Sequence, residues 1–181
     1  MKTEFSQNNL GLVCITHSED IRYKTTTRKH LFTLEKAAQE EKLRFIYTEN
    51  IARLRKAIEF CLAKNINLYR MTSALFPFAD DAMGARILDD FAEELAQIGT
   101  HALTNNLRLV LHPDQFVVLS SDSETIVENS VKILKMHART MDLLNQPRSE
   151  WAAMNIHGGK ANRIDQLVKQ IEKLPDEIRL R

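Results

Sequence analysis

Two short segments carry side chains that would do chemistry if they met: His112-Pro113-Asp114-Gln115-Phe116 and His157-Gly158-Gly159. Neutral imidazole is the commonest protein ligand for zinc- and manganese-like ions, so two converging histidines begin a divalent-metal site. Carboxylates would be needed to complete it. The glycines after His157 let the backbone turn sharply or approach a ligand closely. Gln115 presents an amide that donates and accepts at once, which suits an exposed base edge. The Phe116 ring beside it suits stacking on an unpaired base. Each residue has a competing structural use. A histidine at a strand end often serves as a hydrogen-bonded structural group, and Phe116 opens the apolar run Phe-Val-Val-Leu, which could pack on a helix.

The other histidines are weaker candidates. His30 and His101 lie in polar or helical context and are expected to be solvated. His137 falls on a helix away from the expected active face, and His17 would reach a site only through its loop. The stretch Arg22 to His30 carries Arg22, Lys24, Arg28 and Lys29 with three threonines and no acid. Cations and hydroxyls in that mixture suit phosphate contacts. A solvated surface run is the alternative.

The elements that must position these groups follow from hydrophobic periodicity. Leu10–Ile15 reads as a strand buried on both faces, and Ile66–Met71, Leu107–Leu111 and Trp151–Ile156 read as three further strands. Lys36 to Lys64 reads as one long helix, with Leu43, Ile46, Tyr47, Ile51, Leu54, Ile58 and Cys61 on one stripe and Asn65 as its stop. A second helix, capped by Asp80 or Asp81, runs to about Leu103. A third starts at Ser121 or Ser123 and carries Ile126, Val127, Val131, Leu134, Met141 and Leu144. A last one spans Ile164 to Leu174 before Pro175. The closing Glu-Ile-Arg-Leu-Arg looks like the lead-in to a further strand.

Strict alternation of strand and helix predicts an α/β fold with a parallel sheet and helical crossovers. Neither a G-x-G-x-x-G nor a P-loop is present, so a nucleotide cofactor is not expected. An open doubly wound sheet and a barrel remain. A complete (β/α)8 barrel takes about 250 residues, so 181 residues with four strand–helix units suggest half of one, a TIM (β/α)8-type barrel that stops before closure. In either architecture ligands bind at the C-terminal ends of the strands, where both histidine segments fall.

Composition bounds the partners. With 44% hydrophobic and 27% charged residues, the chain reads as one ordinary globular domain, residues 1–181. Twenty-five lysines and arginines against 24 acids leave a net charge of +1, so any nucleic-acid case rests on local clustering. Cys14 and Cys61 sit in separate apolar stretches, which suits buried thiols in a reducing cytoplasm. No signal-peptide core and no apolar run approaching the ~18 residues of a membrane span is present, so no membrane partner and a cytoplasmic location are expected.

Five segments together resemble the UV damage endonuclease family, which shares its fold with endonuclease IV and the xylose isomerase-like barrels. They are Asn-Leu-Gly-Leu-Val-Cys at 9–14, Lys-Thr-Thr-Thr at 24–27, Leu-Tyr-Arg-Met-Thr-Ser-Ala-Leu-Phe-Pro at 68–77, Leu-His-Pro-Asp-Gln-Phe-Val at 111–117 and Asn-Ile-His-Gly-Gly-Lys at 155–160. The resemblance implies an enzyme that nicks UV-damaged double-stranded DNA immediately 5′ to pyrimidine dimers or 6-4 products. A divalent metal cluster, often Mn2+, and a metal-activated water would do the cutting, in the cytoplasm or at a nucleoid. It assigns His112 and His157 as metal ligands and Gln115 and Phe116 as the probe pair that enters the duplex opposite flipped nucleotides. Lys24, Thr25, Arg70 and Ser73 become DNA contacts. Phe116 stands where tyrosine is common in the family, which keeps stacking and loses a hydroxyl. Leu12 also replaces a tyrosine of some members. The remaining ligands of the family, carboxylates, histidines and a modified lysine, would lie beyond Arg181. As it stands, the chain is expected to hold an incomplete cluster and not to cleave by itself. An open half-barrel is expected to expose edge strands and an apolar face, and so to be poorly soluble or to pair with itself. The rival readings are an abasic-site endonuclease, a sugar isomerase-like metal enzyme, or a non-catalytic DNA-binding module.

Overall fold

The computed structural model describes residues 11–13 and 18–181. Its sheet holds three strands in the order β1 (Gly11–Leu12), β2 (Leu68–Thr72) and β3 (Arg108–His112), all parallel. The crossover from β1 to β2 carries a one-turn helix α1 (Arg28–Leu31) and the long α2 (Lys36–Ala63). From β2 to β3 the chain passes through α3 (Ala82–Asp89) and α4 (Ala92–Thr104). After β3 come α5 (Glu124–Leu143), α6 (Ile164–Glu172) and α7 (Asp176–Arg179). Cys14, Thr16 and His17, and the expected strand one outside 11–13, lie outside the described residues.

Register divides the sheet into two chemically different faces. Tyr69 pairs with Leu109 and Met71 with Leu111, and these four are at most 1% exposed in the common core with the helices. Arg70 pairs with Val110 and Thr72 with His112 on the opposite face, where only Val110 is fully buried. Period-two alternation thus sends the chemistry-bearing side chains away from the helix layer. All seven residues expected on the α2 stripe are buried, each large aliphatic one contributing about 1.5–3 kcal/mol.

Three helices stop in the same way. Asn65, Asn106 and Asn145 adopt positive φ just past α2, α4 and α5. The next amide then reaches back to the last turn: Ile66 to Cys61, Leu107 to Ala102 and Gln146 to Met141, each at 2.9 Å. Asparagine tolerates this left-handed conformation, and the closure satisfies carbonyls that the helix leaves orphaned.

The structure corrects the expected elements in several places. The polar loop after β1 contains α1, because the Thr27 hydroxyl accepts the His30 amide and caps a turn. The expected helix ending near Leu103 is two helices, broken at Asp90 and Phe91. The fourth strand is reduced to one parallel bridge, Leu111 to Met154. Before it, the Ser149 hydroxyl accepts the Trp151 amide and coils Glu150–Ala152 into a 3-10 turn, while the Arg108 guanidinium takes the Glu150 and Trp151 carbonyls. The expected strand lead-in at the end is instead α7, started by Pro175 and anchored by buried Ile178. No helix among the described residues is long and apolar enough to cross a membrane.

Candidate functional site

His112 is the last residue of β3 and lies on the face away from the helices. The bridge that aligns Leu111 with Met154 is closed by Leu111 N–H to the Ala153 carbonyl at 3.0 Å and Asn155 N–H to the Leu111 carbonyl at 2.9 Å. That pairing draws the segment after Met154 alongside the strand end. The His112 and His157 rings consequently stand 4.7 Å apart between centroids, tilted by 58°. His112 Nδ1 lies 2.9 Å from the Asn155 carbonyl. A carbonyl only accepts, so Nδ1 carries a proton, and in the neutral ring the lone pair is then on Nε2. This is the orienting bond that metal-ligating histidines use. Two imidazoles, one with its tautomer fixed by backbone, fit the first half of a divalent-ion donor set. Among the described residues no group of three or more His, Cys, Asp or Glu forms a complete one.

Asp114 extends the cluster. Its carboxylate accepts the Ser73 hydroxyl at 2.7 Å, tying the end of β2 to the loop after β3. Ser73 begins a 3-10 turn for which the Thr72 hydroxyl is the cap, accepting the Ala74 amide. Val117 N–H then donates to the Asp114 carbonyl at 3.0 Å, closing a tight turn with Gln115 and Phe116 in its two central positions. Val117 and Leu119 are buried, whereas Phe116 is 73% exposed and Gln115 is exposed. The apolar run therefore anchors through its later residues, and the ring at its start points into solvent.

The other sequence candidates are spread more widely. Arg70 lies on the same sheet face as His112, and its Nε is buried with no hydrogen-bond partner among the described residues. Thr25 is exposed on the loop before α1. Lys24 is clamped against α2: its amide donates to Asn50 Oδ1 at 2.7 Å and its carbonyl accepts from Asn50 Nδ2 at 2.8 Å. The Lys24 ammonium lies 3.3 Å from Glu49 and 4.7 Å from the Phe45 ring centroid. That ammonium, with Arg53, holds the Glu49 carboxyl below its usual range. Arg28 pairs with Asp81 at 3.2 Å and sits over the Phe32 and Phe78 rings.

Of the remaining histidines, His30 is exposed and His101 pairs with Glu59 at 2.9 Å. His137 is 2% exposed, and its Nε2 has no partner among the described residues. Burial pushes it down to about 4, against a weaker opposing pull from the Asp114 charge. Burial also raises the Cys61 thiol to about 11, which makes it an inert core residue.

Sequence reasoning missed Asn155, Asn50 and the Ser73–Asp114 bond. Asp114 stood within the quoted motif but without a role. Asn155 acts through its carbonyl, which no side-chain pattern advertises. Asn50 interrupts the apolar stripe of α2, and that break was its one visible signal.

Known proteins resemble the chain closely. The family profile described as UV-endonuclease UvdE matches residues 8–181. A UV DNA damage endonuclease of Nostoc sp. is 50% identical over 178 residues, covering 97% of this chain and 55% of the relative. Its counterpart in Deinococcus radiodurans is 43% identical over 176 residues, covering 95% and 57%. The crystal structure of SacUVDE superposes with a TM-score of 0.80 at 26% identity, covering 93% of this chain and 57% of that one. The fold is accordingly that of a partial TIM-type barrel. The chain spans about half the length of the curated relatives it matches.

Proposed function

This chain belongs to the UV-endonuclease UvdE family, and on that premise we propose that it is the N-terminal part, a single domain over residues 1–181, of a DNA repair endonuclease that nicks 5′ to UV photoproducts. The observation that carries the reading is the imidazole pair, 4.7 Å apart at the strand ends, beside an outward turn bearing Gln115 and Phe116. A sugar isomerase would gain nothing from an exposed ring and amide at that rim.

His112 and His157 would hold a divalent ion, Mn2+ being the expected one, as part of a larger cluster. An ion there would polarise a phosphodiester oxygen and acidify a water enough to attack at neutral pH. The residues around it do the rest. The Asn155 carbonyl engages His112 Nδ1, so Nε2 is the nitrogen that would be offered to an ion. Asp114, braced by Ser73, sets the turn that drives Phe116 into the duplex, where the ring replaces the stacking of nucleotides displaced at the lesion. Lys24, Thr25 and Ser73 are assigned to backbone phosphates, Ser73 only where its hydroxyl leaves Asp114, since one proton cannot serve both acceptors. Arg70 supplies positive charge from the sheet face beneath the histidines. Lys24 would have to exchange Glu49 for phosphate, which the exposure of that pair allows.

A duplex with one defined pyrimidine dimer tests this, with and without Mn2+, using this chain and one extended to the full length of its relatives. The extended chain should cut immediately 5′ to the dimer only with metal, and this chain should bind the same duplex without cutting it. Cleavage at an abasic site but not at a dimer would replace the reading with the abasic-site one. Failure of both chains to bind DNA would remove it.

A further inference from the structure

The segment bearing His157 is tied to the β3 side of the site by more than the Leu111–Met154 bridge. Gly159 adopts φ +73°, and a Cβ added there would collide with Ser120 Oγ and lie 3.3 Å from Val118 Cγ1. Ser120 is fully buried, and its hydroxyl accepts the Lys160 amide at 3.1 Å. Outside that contact, Asp122 takes the Lys160 ammonium at 3.0 Å and the Arg163 guanidinium at 2.8 Å. Those cations hold the Asp122 carboxyl below its usual range. Gly158, by contrast, has nothing within 4 Å of where a Cβ would stand. The two adjacent glycines therefore differ: one is sterically free, and the other is required by both its backbone conformation and its neighbour.

We propose that Gly159 and Ser120 form a positioning latch that sets the His157 imidazole against His112. The loop after β3 is the shared frame. It runs from His112 through Val118 and Ser120 to Asp122, and the latch pins the His157 segment to it two residues beyond the ligand. Only glycine permits the left-handed backbone and the close approach together. Any Cβ at 159 must push the loop off Ser120 and carry His157 with it. The latch deepens the metal reading of the imidazole pair and, for its effect on an ion, rests on that reading.

The test uses the full 181-residue chain as Gly158→Ala, Gly159→Ala, Ser120→Ala and the Gly159→Ala/Ser120→Ala double variant, each checked for unchanged thermal unfolding. Two readouts are taken: the ring-proton NOE between His112 and His157 without metal, and the Kd for Co2+ or Mn2+ alone. Gly158→Ala should match the parent in both. Gly159→Ala should lose the NOE and bind metal about 10–100-fold more weakly, the size of effect typical when a ligand loses its support. Removing the colliding hydroxyl should recover part of that loss, so Gly159→Ala should do less harm in the Ser120→Ala background. An unchanged NOE in Gly159→Ala would overturn the latch, as would a loss of equal size in Gly158→Ala. If the parent shows the NOE but binds no metal, the metal reading falls while the NOE series still decides the latch.

Discussion

Phe116 keeps 73% of its surface in water while the next residue, Val117, is 1% exposed. A ring held outward on a closed turn contributes nothing to the core, so its removal should separate binding from stability. Phe116→Ala is expected to weaken binding to a dimer-containing duplex by about 1–3 kcal/mol, the range for one stacked base, with no change in the urea midpoint. Fluorescence anisotropy on damaged and undamaged duplexes reads the first, and an equal loss on both would remove the probe role. His137 makes the opposite kind of prediction. Its folded-state value of about 4 lies below the ordinary 6.5, so the unfolded chain takes up a proton before the folded one does. The stability it contributes is complete above about pH 6.5 and is lost as pH falls towards 4. Between pH 7 and 5 that amounts to about 2 kcal/mol. Urea titrations at the two pH values should show it, and a His137→Leu chain whose pH dependence is no flatter would show that another group is responsible.

At the scale of elements, α2 does two jobs. Its apolar stripe builds the core, and Asn50, fully buried within that stripe, ties three separate backbone groups together. The Asn50 side chain receives the Lys24 amide and donates to the Lys24 and Leu75 carbonyls. The loop bearing Lys24 and Thr25 is thus joined to the 3-10 turn that follows β2. Asn50→Ala leaves those buried partners unmatched and should cost about 3 kcal/mol. It should also free the 22–29 segment, read as faster trypsin cleavage at its lysines and arginines before global unfolding. Cleavage at the parental rate would mean that the loop is held elsewhere. The sequence announced this helix and its stripe correctly, because 3.6-residue periodicity is a local property. It misjudged the fourth strand for an equally physical reason. An apolar run such as Trp-Ala-Ala-Met-Asn-Ile suits a strand, but Ser149 caps a tight turn at its start and only Met154 reaches β3.

For the whole molecule, the balance of charge leaves apolar surface as the main non-specific driving force. Among the described residues β1 pairs only with β2, and Val13 and Phe60 near it are 49% and 41% exposed. Trp151, at the other side of the sheet, is 37% exposed. The chain should therefore self-associate as its concentration rises, by strand-edge pairing and apolar contact. Sedimentation velocity should show it, and added salt should not reverse it, since screening weakens charge pairs rather than apolar burial. A monomer at every concentration would contradict the expectation.

The amino-acid sequence by itself determined the alternation of strand and helix as far as β3, the helical stripes, and the placing of His112 and His157 at or just after apolar runs. Those follow from short-range geometry and from which residues tolerate which backbone. Only the tertiary structure decided that the two rings lie within contact of each other, that Asn155 offers its carbonyl to His112, and that Phe116 faces water instead of a helix. It also turned Lys24 towards Glu49 and set Gly159 against Ser120. The imidazole pair, the Asn155 contact and the Ser120 contact join residues about forty apart, and the first two rest on one bridge between Leu111 and Met154. A one-residue change in that pairing would turn every side chain after it to the other face, and no local pattern records which register the packed core selects.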